Sequence, residues 1–178
     1  MRILISGGAG FVGSSIARAM QEKPGNEVTV LDNLKRRGSE LNLLWLRQKG
    51  IRFHHGDVRE LDDLLDVPGS FDLMIEASAE PSVHAGQKGS PSYVISTNLR
   101  GTVNCLEYAR RRAGLFVYLS TSRVYSIASL RAICLKETGQ RFEMEPQQTL
   151  PGVSEFGIAE SFPTNRARSI YGTTKLAS

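Results

Sequence analysis

The chain has 178 residues, 40% of them hydrophobic and 22% charged, with a formal net charge of +4. That length buries one core and leaves little for a second, and no apolar run approaches the span of a bilayer. The bases are scattered apart from Lys35-Arg36-Arg37 and Arg110-Arg111-Arg112, which does not make a nucleic-acid face, and Cys105 and Cys134 stand apart with no CxxC, so neither a disulfide framework nor a zinc site is suggested. A soluble protein of the reducing cytoplasm is the expectation, because a glycine turn at residue 7 takes the place of a signal peptide's apolar stretch.

A short apolar run, Ile3 to Ile5, passes into Gly7-Gly8-Ala9-Gly10-Phe11-Val12-Gly13 and then into a helical pattern reaching about Lys23. The glycines read as Gly8-x-Gly10-x-x-Gly13 or as Gly7-x-x-Gly10-x-x-Gly13. In either register they allow a tight turn and close backbone approach to a pyrophosphate, which the positive end of the helix opening near Phe11 favours. A second strand, Val28 to Leu31, ends in Asp32, nineteen residues past Gly13, where a carboxylate accepts from the ribose hydroxyls of NAD and repels a 2′-phosphate. Lys35, Arg36 and Arg37 leave other readings open: the phosphate of NADP, the NAD pyrophosphate, or solvated loop charge. The carboxylate favours NAD.

Leu41, Leu43, Leu44, Trp45 and Leu46 then predict a helix stopping at Gly50, with Trp45 as packing. Ile51 to Phe53 is a third strand, and His54-His55 reads as structural because no further ligand stands at metal spacing. Asp57 follows at the ligand edge, within reach of an adenine amino group. A short helix near Asp62 to Asp66 and a fourth strand, Phe71 to Ile75, lead to Glu76-Ala77-Ser78-Ala79, whose small residues let the backbone approach a cofactor. One long helix is expected from Pro91 to Ala113, ended by Gly114. Within it Gly101 implies a close neighbour, and Asn98 is either surface-exposed or holds a water in a proton path. Leu115 to Leu119 completes five strands, which predicts an α/β fold of Rossmann type: a doubly wound parallel sheet in a three-layer α/β/α arrangement.

At the end of the fifth strand comes Ser120-Thr121-Ser122-Arg123-Val124-Tyr125, and much later Tyr171-Gly172-Thr173-Thr174-Lys175. A tyrosine and a lysine four apart on a helix share one face, so the ammonium favours the ionised phenol and can hold the nicotinamide ribose. The phenolate can then take a hydroxyl proton as hydride leaves the same carbon, with Thr121 hydrogen-bonding that hydroxyl.

Together with Asp32-Asn33-Leu34, Gly56-Asp57-Val58 and Asn98-x-x-Gly101-Thr102-x-Asn104, these motifs resemble the extended short-chain dehydrogenase/reductases, the NAD-dependent sugar-nucleotide epimerases and dehydratases. The resemblance covers the whole chain. It implies a catalytic set of Thr121, Tyr171 and Lys175, joined by Asn98. It further implies an NAD site drawing on Gly7, Gly10, Phe11, Val12, Gly13, Asp32, Asn33, Lys35, Arg36, Asp57, Val58, Ala77, Ser78, Ala79, Asn98, Tyr171 and Lys175, with no metal.

Departures narrow the activity. In the 4,6-dehydratases of the family an Asp and a Glu follow the catalytic threonine, whereas here Ser122 and Arg123 stand there. The Asp32 to Leu46 segment and this pair are closer to the CDP-paratose 2-epimerases (tyvelose epimerases), with nucleotide-sugar 4-epimerases or dehydratase/reductases of the same family as rivals and a non-catalytic NAD-binding regulatory module as a second class of reading. Glu76 and Ser78 depart from the usual His-x-Ala-Ala, and Ser126 from a glycine. Residues 126–170 suggest a lid. Members of this kind run to about twice this length, with the substrate domain in their C-terminal half. The chain is therefore expected to be an NAD-binding domain, 1–178, that turns over a nucleotide-sugar substrate poorly by itself and associates as a homodimer through the helices near Pro91 and Tyr171.

Overall fold

The computed structural model describes residues 1–178. Five strands form one parallel sheet: β1 (Arg2–Ser6), β2 (Glu27–Asp32), β3 (Arg52–His55), β4 (Phe71–Glu76) and β5 (Ala113–Tyr118), in the order β3-β2-β1-β4-β5. The order reverses between β1 and β4, and at that switch point a crevice opens beyond the carboxyl ends of the strands.

Alternation along the strands builds two cores. Ile3, Ile5, Val28, Val30, Leu73 and Ile75 face α1 (Phe11–Gln21) and α2 (Asn42–Gln48), through Ala17 and Leu46, with Trp45 packed at the margin. Leu4, Leu31 and Met74 face the other way, onto Leu64 of α3 (Leu61–Leu65) and onto Cys105, Tyr108 and Ala109 of α5 (Gly101–Arg112). The expected doubly wound, three-layer arrangement is thus present, the central strands β1, β2 and β4 burying both of their faces while the edge strand β5 leaves Leu115 and Val117 exposed.

The single helix expected from Pro91 to Ala113 is not uniform. It begins as α4 (Ser92–Ile95), widens into a π-turn over Ser96–Arg100, and resumes as α5. Gly101 stands where it does because an added Cβ would lie 2.8 Å from Val58 Cγ2. Gly114 does not end that helix: α5 stops at Arg112, and Gly114 lies inside β5, backed against the Asp72 carbonyl.

Residues 126–170, read as a lid, hold α6 (Ile127–Arg131) and two small hairpins, β6–β7 (Leu135–Glu137 with Phe142–Met144) and β8–β9 (Val153–Ser154 with Gly157–Ile158). The Gln148 amide bonds to both backbone groups of Cys134, and Phe162 is buried edge-on against Tyr125 at 5.2 Å. The chain then returns to the sheet as α7 (Ile170–Ala177).

Candidate active site

The glycine turn lies at the mouth of the crevice. Gly7 has φ +69°, and a Cβ on it would stand 2.7 Å from Ser78 Cα; a Cβ on Gly13 would stand 2.1 Å from the Gly7 carbonyl oxygen. Side chains are excluded at both positions by backbone alone, so β1, the start of α1 and the end of β4 close on one another. Gly10 precedes the helix in extended conformation, and Phe11 and Val12 project into solvent, Phe11 at 87% exposure. The first N–H groups of α1 have no intrahelical acceptor, and this geometry suits an anion.

Asp32 closes the turn from the next strand. The Ala9 N–H donates to its Oδ2 (3.0 Å) and the Leu34 N–H to its Oδ1 (2.9 Å), while the Asn42 amide donates to the Ala9 carbonyl (2.7 Å). The carboxylate is aimed at the turn with lone pairs left over, as ribose hydroxyls need.

Asn33 donates to Asp57 Oδ2 (2.8 Å), and Arg59 grips both Asp57 oxygens. Burial alone would raise the Asp57 carboxyl, but the hydrogen bonds from Arg59 and Asn33, together with the Arg59 charge, outweigh it and hold the group at about 2. Asp57 therefore braces Asn33 with both oxygens already engaged. Val58 points its side chain into the core against Gly101, which leaves only its backbone for the crevice. Lys35, Arg36 and Arg37 are exposed, and the Lys35 ammonium lies 3.8 Å over the Tyr93 ring, which Arg59 flanks from 5.6 Å. Arg59 and Tyr93 escaped the sequence reading because neither belongs to a motif.

Ala77, Ser78 and Ala79 form a half-buried floor, with the Ser78 hydroxyl 3.1 Å from that of Ser6. Asn98 is 1% exposed, which rules out the surface reading. Its Oδ1 accepts from the Glu80 N–H (2.8 Å), and its amide reaches the Glu80 carbonyl (3.2 Å) and Thr174 Oγ1 (3.4 Å). One side chain in the π-turn thereby ties the loop after β4 to α7.

Thr121, three residues past β5, caps the short turn Ser122–Val124, accepting from the Arg123 N–H at 3.2 Å. Ser169 caps α7 by accepting from the Gly172 N–H at 3.1 Å. Gly172 lets α7 touch that turn: an added Cβ would lie 2.3 Å from the Arg123 carbonyl oxygen. This contact packs the start of α7, which carries Tyr171, on the Ser122–Val124 turn that Thr121 caps. Tyr171 and Lys175 are both buried, and the Lys175 ammonium donates to the Leu119 carbonyl (2.9 Å) and lies 4.2 Å over the Tyr118 ring. An adjoining cavity of about 770 Å³ is lined by Arg123, Arg166, Arg168, His84 and Tyr125, with no acidic residue, so its chemistry suits an anion. A cavity of similar volume, about 780 Å³, opens at the amino ends of the strands among Arg2, Arg52 and Phe71, away from all of these groups.

The model of the NAD dependent epimerase/dehydratase family matches residues 3–178. The chain is 40% identical over 132 residues to the dTDP-glucose 4,6-dehydratase of Streptomyces niveus, covering 70% of this chain and 39% of that one. It is 34% identical over 134 residues to the CDP-paratose 2-epimerase of Salmonella typhi, covering 70% and 38%. Among solved structures it is similar to DesIV, the dTDP-glucose 4,6-dehydratase of Streptomyces venezuelae crystallised with NAD, with a TM-score of 0.73 and 30% identity over all of this chain and 49% of that one. The chain thus spans about two fifths of the length of these curated relatives.

Proposed function

The chain belongs to the NAD-dependent epimerase/dehydratase family, and from that premise we propose that it is the cofactor-binding part of a nucleotide-sugar epimerase. The observation that supports the reading is the seat of α7: Gly172 packs on the Arg123 carbonyl, beside the turn that Thr121 caps, and the buried Lys175 ammonium, one helical turn from Tyr171, donates to the Leu119 carbonyl just past β5. The Gly7 to Gly13 turn and the open helix start hold the pyrophosphate, Asp32 takes the adenosine ribose with Asn33 beside it, and Ala77 to Ala79 lie under the ring system. The Val58 backbone and the braced Asp57 border the adenine, and Lys35 and Arg36 lie at the rim.

NAD, when bound, accepts a hydride from the sugar carbon and gives it back to the opposite face. The residues of the chain manage the proton. Tyr171 takes it from the sugar hydroxyl and later returns it, Thr121 orients that hydroxyl, and the Lys175 ammonium would hold the nicotinamide ribose. Asn98 fixes the π-turn against α7. The arginine-lined cavity takes the diphosphate of the substrate.

Epimerase chemistry is preferred over 4,6-dehydration because Ser122 and Arg123 offer no acid and base for eliminating water. Both dehydratases and epimerases stand among the relatives, so the preference rests on this pair of residues. The test is the absorbance and mass of the nucleotide released on denaturation, followed by titration with NAD and NADP. Co-purified NAD, or preference for it, supports the cofactor reading; binding of neither overturns it.

A further inference from the structure

Glu76 closes β4 where the family resemblance leads one to expect histidine, and nothing above uses it. It is 1% exposed and lies on the α5 side of the sheet. Thr102 and Cys105 of α5 face it, Tyr118 of β5 is its partner in the sheet register, Ser6 of β1 is its partner on the other side, and Lys175 approaches from α7. Glu76 Oε2 has no hydrogen-bond partner, nor has the buried Tyr118 hydroxyl. Of the titratable groups facing Glu76, Lys175 carries the charge: Cys105 is pushed up by burial and then by the Glu76 carboxylate itself, and Tyr118 is a phenol.

The Thr102 hydroxyl gives the direction of the hydrogen bonds. Its oxygen lies 2.8 Å from Glu76 Oε1 and 2.7 Å from the Asn98 carbonyl oxygen. A hydroxyl has one hydrogen to give, and a carbonyl can only accept. With the Thr102 hydrogen on Asn98, the contact to Glu76 needs a hydrogen from the carboxyl. A carboxylate would set two buried acceptors in competition for a single hydrogen. The Ser178 hydroxyl does not replace it, being 3.1 Å from the Asn98 oxygen but 2.8 Å from the Thr174 carbonyl. Burial acts in the same sense, pushing the Glu76 carboxyl up to about 7 against the pull of the Thr102 hydroxyl and the Lys175 charge.

We propose that Glu76 is a positioning residue for the Tyr171–Lys175 pair: as a neutral acid it donates to Thr102, Thr102 donates to Asn98, and the π-turn so held seats α7. On ionisation the Glu76 proton leaves to solvent and Thr102 turns to the carboxylate. The Asn98 carbonyl then loses the Thr102 hydroxyl, and the new negative charge pulls the Lys175 ammonium from the Leu119 carbonyl towards Glu76. Departures from regular helix of this kind recur at functional sites because they re-aim one turn without breaking the helix. The consequence for cofactor binding rests on the NAD reading given above; the chain of hydrogen bonds does not.

The test is a side-chain ¹³C-glutamate NMR titration of the chain from pH 5 to 9, run beside NAD affinity by fluorescence for wild type, Glu76→Gln and Thr102→Val. The Glu76 signal should titrate near neutrality. Wild-type NAD affinity should fall roughly three- to tenfold through that range. Glu76→Gln, whose amide donates to Thr102 at every pH, should stay flat at the acid-side value, and Thr102→Val should bind weakly throughout. A Glu76 already ionised at pH 5.5, or a Glu76→Gln profile that keeps the wild-type fall, overturns the proposal. If NAD binds at no pH, the cofactor reading fails, and the NMR titration still decides the state of Glu76.

Discussion

Replacing Gly13 by alanine sets two opposing effects against each other. Gly13 sits in the first turn of α1, where alanine is the better helix former by up to about 1 kcal/mol. The added Cβ, however, would lie 2.1 Å from the Gly7 carbonyl oxygen and 2.8 Å from Gly8 Cα. Both neighbours are backbone, so no side-chain rotation relieves the overlap; α1 must lift off the turn, at an overpacking cost of about 3 kcal/mol. The clash therefore wins, with a net loss of about 2 kcal/mol, or roughly 4–8 °C in Tm for a domain of this size. The matching control is Gly25→Ala, where φ is +79° but nothing lies within 4 Å, so the loss is the left-handed strain of about 1 kcal/mol. Urea denaturation gives both values, and a titration of Gly13→Ala should show NAD affinity falling by roughly two orders of magnitude as the first N–H groups move off the pyrophosphate. A Gly13→Ala chain as stable as wild type, or more so, would show helix propensity acting unopposed and refute the close packing of the turn.

Asp32→Asn keeps the shape but donates where the carboxylate accepts from Ala9 and Leu34; NAD should bind about tenfold more weakly and the preference over NADP should narrow, both read from parallel titrations. The folded-state value of about 7 for Glu76 against 4.5 in the unfolded chain means that the folded protein holds this proton more tightly, so its contribution to stability is complete below pH 4.5 and is lost as pH rises to about 7, an amount of about 3 kcal/mol. Glu76→Gln should accordingly match wild type at pH 4.5 and exceed it at pH 8 in urea midpoint; equal midpoints at pH 8 would contradict the burial of a lone carboxyl. Asp57 runs the opposite way: its lowered value adds stability above pH 3.8 that fades as pH falls towards 2, and Arg59→Ala should shrink that acid-side fade. Val103 and Leu106 on α5 and Ile170 and Leu176 on α7 expose apolar surface, so light scattering should find a dimer, and a monomer at high concentration would count against pairing through these helices.

Alternation and glycine placement made the sheet, the glycine turn and the strand-end position of Asp32 legible from local sequence, because strand period, positive φ and a strand-end carboxylate are decided within a few residues of each position. Tyr171 and Lys175 were readable as a pair for the same reason, one helical turn separating them. Long-range contacts decided the rest. That Asp57 is spent on Arg59 and Asn33, that Val58 turns into the core, and that Asn98 is buried in a π-turn depend on which elements the fold brings together. The Pro91 to Ala113 segment shows the limit most clearly, since its helical period is intact but Gly101 must close on Val58 while Asn98 reaches both Glu80 and Thr174, and one turn widens within that stretch. Glu76 read as a departure from a motif, and only the 2.7 and 2.8 Å contacts of a threonine twenty-six residues further along the chain support the neutral acid proposed for it. Periodicity and turn chemistry act between near neighbours and can be read in order; the charge state and aim of a buried group are set by partners that only the folded chain assembles.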